Sequence, residues 1–188
     1  MTLEIIIAGR GGQGILLTGY LLGKALVNKG FYVVNSEMYS AETRGGFSRS
    51  DLIVFPSEAE MDIIKVRKAD IAIFMYKDQM YSYADYVKPD AQLVVLDATF
   101  IGEPARPWPR ILKVPFTRLA EEKVGTYRVA NVFMLGVFSY VTELVDPETM
   151  KEIIKTSVRP KWVEINLKAF DAGYSYAEEN LEKIGVKL

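Results

Sequence analysis

Residues 3–14 read Leu-Glu-Ile-Ile-Ile-Ala-Gly-Arg-Gly-Gly-Gln-Gly. An apolar run closes in Gly9, Gly11, Gly12 and Gly14, and a helical pattern begins at once. That order describes a buried strand, a tight glycine turn and a helix N-terminus. Backbone N–H groups at such a terminus carry partial positive charge and suit a phosphate or carboxylate. Gly9, Gly11 and Gly14 also satisfy the spacing G-x-G-x-x-G.

Outward from the turn, Leu16, Leu17, Leu21, Leu22, Ala25 and Leu26 make one broad apolar face from Gly14 to about Asn28, with Gly30 as the stop. Phe31–Asn35 reads as a second strand, completing one βαβ unit. Phe47–Phe55 is a further strand, free to run antiparallel. Ala69–Met75 and Gln92–Asp97 are buried strands, and Ile111–Val114 is a short edge strand beside Pro115. Met61–Lys68 and Asp78–Val87 read as short helices, and Ala98–Arg110 as an irregular connection. The last third is helical. Thr117 is placed to cap a short helix, Val129–Glu143 crosses the core, Asp146 caps Pro147–Thr156, and Trp162 to about Lys183 is long and amphipathic. The pattern predicts an α/β fold, three-layered, with a mainly parallel sheet and a Rossmann-like first βαβ unit, residues 1–188 forming a single domain.

Composition narrows the function more by absence than by average. The chain has 188 residues, 49% hydrophobic and 25% charged, with net charge −1. No whole-protein field attracts nucleic acid or an anionic membrane. No apolar run approaches the roughly 20 residues that span a bilayer, and the first residues lack the basic and apolar regions of a signal peptide. A cytoplasmic location is expected. There is no cysteine and no histidine. A Cys-ligated iron–sulfur cluster, a thiol nucleophile and a Ser-His-Asp triad are therefore excluded, and the usual zinc donors are missing. No metal site and no catalytic residue is expected in this chain.

The glycine turn has three readings: a dinucleotide site, a site for another anion, or a tight turn that packs helix on sheet. The first requires an acidic residue about 20 positions on, at the end of the second strand. Glu37 comes two residues late. Arg10 sits inside the turn, where its side chain crosses the mouth of a pyrophosphate site. No P-loop lysine follows. A second cluster, Glu42-Thr43-Arg44-Gly45-Gly46, offers a guanidinium held near two glycines, suited to phosphate or carboxylate. The bland alternative pairs Arg44 with Glu37 or Glu42. The site residues on this reading are Gly9, Gly11, Gly12, Gln13, Gly14, Arg44, Gly45 and Gly46. Asn131 is expected to be a buried polar group with a structural role. Tyr76, Tyr81, Tyr83 and Tyr86 form an interface patch or a half-exposed helix face, and Trp108 is the better interface candidate.

Three stretches together resemble a known family. Ile7 to Gly19 (Ile-Ala-Gly-Arg-Gly-Gly-Gln-Gly-Ile-Leu-Leu-Thr-Gly), Glu42 to Asp51 (Glu-Thr-Arg-Gly-Gly-Phe-Ser-Arg-Ser-Asp) and Asn131 to Gly136 (Asn-Val-Phe-Met-Leu-Gly) are similar to gamma subunits of 2-oxoacid:ferredoxin oxidoreductases, closer to the 2-oxoglutarate branch than to the pyruvate branch. The resemblance implies an accessory, non-catalytic α/β subunit with alpha, beta and ferredoxin-like delta partners. In such complexes thiamine diphosphate and iron–sulfur clusters sit elsewhere. A 2-oxoacid is decarboxylated to an acyl-CoA while ferredoxin is reduced. On this resemblance the glycine turn and Arg44 assist coenzyme A access or subunit assembly. A stand-alone NAD- or flavin-binding oxidoreductase and a nucleotide-binding regulatory module are the competing classes.

Overall fold

The computed structural model describes residues 2–40, 46–58 and 65–187. Six strands form one mixed sheet: β1 (Leu3–Arg10), β2 (Tyr32–Tyr39), β3 (Phe47–Phe55), β4 (Ile71–Phe74), β5 (Leu93–Asp97) and β6 (Ile111–Val114). Their spatial order is β2-β3-β1-β4-β5-β6. β1, β4, β5 and β6 run parallel, and β3 is antiparallel to both β1 and β2. The first βαβ unit is thus present, with β2 parallel to β1, but β3 is wedged between its two strands. β2 extends to Tyr39, past the expected end at Asn35, because β3 supplies ladder partners for Ser36 to Tyr39.

Helices α1 (Ile15–Asn28), α3 (Phe116–Val124), α4 (Ala130–Thr142), α5 (Pro147–Ser157) and α6 (Pro160–Asn180) cover one face. The other carries α2 (Lys77–Tyr83), a 3-10 turn at Ala84–Tyr86 and the irregular segment 98–110. Alternation within β1 divides its side chains between the two cores: Leu3, Ile5 and Ile7 meet the helical layer, and Ile6 and Ala8 the thinner one. The predicted helix over 78–87 is accordingly split in two. Of Met61–Lys68, residues 61–64 lie outside the described residues, and 65–68 are not helical. Among the described residues no helix is long and apolar enough to cross a membrane.

Two local expectations are corrected. Thr117 does not cap α3: it lies inside the helix, and both its N–H and its hydroxyl donate to Asp97, at 3.2 and 2.5 Å. Trp108 is no surface anchor. It is 5% exposed and stacks on Phe74, with ring centroids 6.3 Å apart, so the proline-rich segment folds its aromatic inward. Asp146 does cap α5, accepting from Thr149 N–H at 2.8 Å.

The deepest helix is α4. Its residues from Ala130 to Ser139 are all buried. It reaches that depth because Gly136 and Gly173 let its backbone meet that of α6. A methyl on Gly136 would stand 2.2 Å from Phe170 O, and one on Gly173 2.0 Å from Phe133 O. Glycine within a helix costs about 1 kcal/mol relative to alanine, and the close packing offsets that cost.

Gly173→Ala is expected to lower the denaturation free energy by about 3 kcal/mol, at or above the usual overpacking range, read as a drop in the urea midpoint at unchanged slope. Asp146→Ala is expected to cost about 1 kcal/mol at neutral pH. The Thr149 N–H bond holds the Asp146 carboxyl below its ordinary range. A depressed carboxylate stabilises above its unfolded pKa and loses that contribution as pH falls through its folded pKa. The difference between Asp146→Ala and the native chain should therefore vanish in acid, as pH-dependent melts would show.

Candidate functional site

The glycine turn lies at the C-terminal end of β1, beside the end of β4. The chain leaves β1 over one face of the sheet through α1 and leaves β4 over the other through α2. This is the topological switch point of the sheet, where open α/β folds bind ligands.

Gln13 fixes the turn. Its Oε1 accepts from Arg10 N–H at 2.7 Å, and its Nε2 donates to Met75 O at 3.0 Å. One side chain thereby ties the turn to the end of β4. A Cβ at Gly9 would lie 2.6 Å from Gln13 Oε1 and would displace the amide that fixes the turn. Gly12 and Gly14 have φ of 90° and 74°, the left-handed region that glycine tolerates. Gly14 caps α1 without a side-chain acceptor, so the first turn of that helix keeps its unpaired N–H groups near the clefts described below. Gly46 arrives from the head of β3, and Gly11 N–H donates to Gly46 O at 2.7 Å. Sequence-distant glycines are thus joined. Glu42, Thr43, Arg44 and Gly45 lie outside the described residues.

Two clefts flank the turn, and Gly12 and Arg128 line both. One, of about 460 Å³, is walled by Arg10, Gln13, Tyr76, Phe100, Tyr127 and Arg128. The other, of about 400 Å³, is walled by Gly14, Asn131, Arg128, Arg159, Trp162 and Asn166. Among the described residues lining either cleft there is no carboxylate. Arg10 turns against one wall, its guanidinium 4.5 Å from the Tyr76 ring and its Nη1 3.2 Å from the phenol oxygen. Asn131 is 3% exposed and donates to Gly14 O at 3.2 Å, tying the start of α4 to the turn as its buried position suggested.

Arg128, Tyr127 and Phe100 were not legible as site residues. Phe100 lies in the irregular segment after β5 and Tyr127 and Arg128 in a short 3-10 turn, and no periodicity marks them. The tyrosine cluster separates in space. Tyr76 faces Arg10 and Phe100, while Tyr83 and Tyr86 enclose the Arg49 guanidinium at 4.6 and 4.5 Å. Arg49 forms a bidentate pair with Asp51 at 2.6 and 2.7 Å, both nearly buried. Burial pushes the Asp51 carboxyl up, and Arg49 opposes it. Asp97 is fully buried, bonded to Thr99 and to Thr117, which lines the first cleft. Burial raises its pKa, and those bonds oppose the rise. Its partners mark it as a structural tie between β5 and α3.

The family pattern described as pyruvate ferredoxin/flavodoxin oxidoreductase matches residues 4–176. The chain belongs to this family. It is 38% identical over 179 residues to the 2-oxoglutarate synthase subunit KorC of Methanothermobacter marburgensis, covering 92% of this chain and 95% of that subunit. It is 36% identical to KorC of Methanocaldococcus jannaschii, with 95% and 96% covered. The keto/oxoacid ferredoxin oxidoreductase gamma subunit of Geobacter sulfurreducens superposes with a TM-score of 0.77 at 26% identity, over 94% of this chain and 99% of that one. Family members also carry this unit inside longer chains: the ketoisovalerate oxidoreductase subunit VorA of Methanothermobacter thermautotrophicus is 32% identical over 95% of this chain but only 37% of its own length.

Gln13→Ala removes both side-chain bonds that hold the turn. About 1 kcal/mol per bond is expected, so denaturant melts should show a loss of about 2 kcal/mol, together with faster amide exchange at Arg10.

Proposed function

We propose that this chain is the gamma subunit of a 2-oxoglutarate:ferredoxin oxidoreductase and that its arginine-lined clefts receive the phosphate-bearing part of coenzyme A. The KorC relatives support the complex and the 2-oxoacid. One observation carries the ligand reading: two clefts meet at the glycine turn, with Arg10, Arg128 and Arg159 on their walls and no carboxylate among the described lining residues. Guanidinium groups and helix N–H donors favour phosphate oxygens. The aromatic walls, Tyr76, Phe100, Tyr127 and Trp162, suit a planar base. Gly11, Gly12, Gln13, Gly14 and Gly46 supply the backbone of the site, and Arg44 and Gly45 belong to it by sequence.

The NAD reading loses support from the course of β2. Glu37 lies within that strand, two residues short of its end, and not at the tip where a ribose would be held. Without cysteine the chain supplies no thiolate for an iron–sulfur cluster. Clusters and thiamine diphosphate are assigned to the alpha, beta and ferredoxin-like delta partners, in a cytoplasmic complex.

Arg128→Ala in the assembled complex is expected to raise the KM for coenzyme A about tenfold, from the loss of roughly 1.5 kcal/mol of charge-assisted binding, with kcat retained at saturation. Arg44→Ala should act in the same direction. An unchanged KM combined with loss of the complex on gel filtration would replace the ligand role by an assembly role.

A further inference from the structure

β2 is the outermost strand at its end of the sheet. It runs for eight residues, Tyr-Val-Val-Asn-Ser-Glu-Met-Tyr, with no lysine and no proline and with Glu37 as its only charge. Natural edge strands are normally blunted by shortness, charge, proline or a cover. β6, at the opposite edge, is four residues long and runs into Pro115. β2 is long, without lysine or proline, carries the one charge of Glu37, and has no cover among the described residues; Tyr32, Met38 and Tyr39 are exposed on it.

The ladder fixes which groups point outward. Ser40 N–H donates to Phe47 O at 3.0 Å, continuing the register in which Tyr39 faces Ser48. Antiparallel alternation therefore turns the even-numbered residues toward β3 and leaves the N–H and C=O of Val33, Asn35, Glu37 and Tyr39 on the outer edge. Among the described residues no other backbone group pairs with that edge.

We propose that two copies of this chain join through β2, antiparallel about a two-fold axis at Ser36, forming one continuous sheet. The strand is complementary to itself in that register. Val34 stands opposite Met38 on one face, Val33 opposite Tyr39 on the other, and Asn35 opposite Glu37. Apolar residues meet apolar residues, and the single carboxylate meets an amide, not its own copy. Such cross-strand pairs are what stabilise a sheet. The outward backbone groups of Val33 pair with those of Tyr39, and those of Asn35 with those of Glu37. Beside the edge lies a groove of about 460 Å³ with an apolar floor of Tyr20, Gly23, Val27, Val33 and Ile153 and with Lys24, Asn28 and Asn35 also lining it. Tyr39, 69% exposed in the single chain, projects from the second copy toward this groove. The contact is isologous and closed, so it stops at two copies.

The test uses the full chain. Sedimentation across a dilution series should give twice the chain mass at high concentration, dissociating on dilution. Glu37→Pro removes an outward N–H that β3 does not use, and Met38→Lys sets an ammonium against Val34. Both should sediment as monomers with an unchanged thermal melt. The chain has no cysteine, so Ser36→Cys introduces its sole thiol at the axis. Non-hydrogen-bonded antiparallel partners lie about 4.5 Å apart at Cα, within disulfide reach. Air oxidation should give a covalent dimer, where Ser82→Cys, exposed on α2, should not. A native chain that stays monomeric at every concentration overturns the proposal, as does a dimer that survives Glu37→Pro and Met38→Lys and resists cross-linking through Ser36→Cys. So does a chain monomeric alone whose β2 amides gain exchange protection only with the other subunits, which would assign the edge to one of them.

Discussion

The backbone contact between α4 and α6 at Gly136 and Gly173 is the constraint on which the rest of the helical layer depends. With Phe170 O and Phe133 O about 2 Å from where a Cβ would stand, nothing larger than hydrogen fits at either position. The contact lets an almost wholly apolar helix sink between α6 and the sheet and bury nearly its entire circumference. α4 then begins directly at the glycine turn, where Asn131 reaches Gly14 O and the preceding 3-10 turn, Tyr127–Val129, carries Arg128 to both clefts. The packing of α4 on α6 thus sets where Arg128 meets the two clefts.

The second organising feature is the antiparallel insertion of β3 between β1 and β2. It brings Gly46 against Gly11 at the end of β1, although 35 positions separate them in the chain. It also places Arg49 and Asp51 in the thinner core, where a charged pair persists only because each group satisfies the other and Tyr83 and Tyr86 cover the guanidinium. The same insertion pushes β2 to the rim and leaves one side of its backbone unsatisfied by β3.

Much of the architecture was legible in the sequence for simple physical reasons. Fully buried parallel strands are continuously apolar, so Leu3–Ala8 and the runs that became β4 and β5 stood out. Asp146 followed by Pro147 is a local cap signal and needed no tertiary help. The glycine turn was legible because positive φ and close approach select one residue type. Where reading failed, the deciding contacts were distant. Thr117 carries a capping side chain, yet its hydroxyl is drawn to the buried Asp97 carboxylate. Trp108 sits among prolines in a segment that reads as surface loop, yet Phe74 beneath it offers more apolar contact than water does.

What the sequence determined by itself was the fold class, the position of the glycine turn at the end of β1 and the exclusions that follow from having neither cysteine nor histidine, because these depend on local conformation and on residue chemistry. Only the tertiary structure decided the strand order, the partners of the turn and the arginines of the clefts. Arg10 belongs to the glycine turn, but Arg128 and Arg159 share no periodicity and no motif with it. They converge because the sheet reverses its winding between β1 and β4 and because two glycines draw α4 and α6 together, and a linear pattern does not record which distant segments a close-packed core will bring into contact.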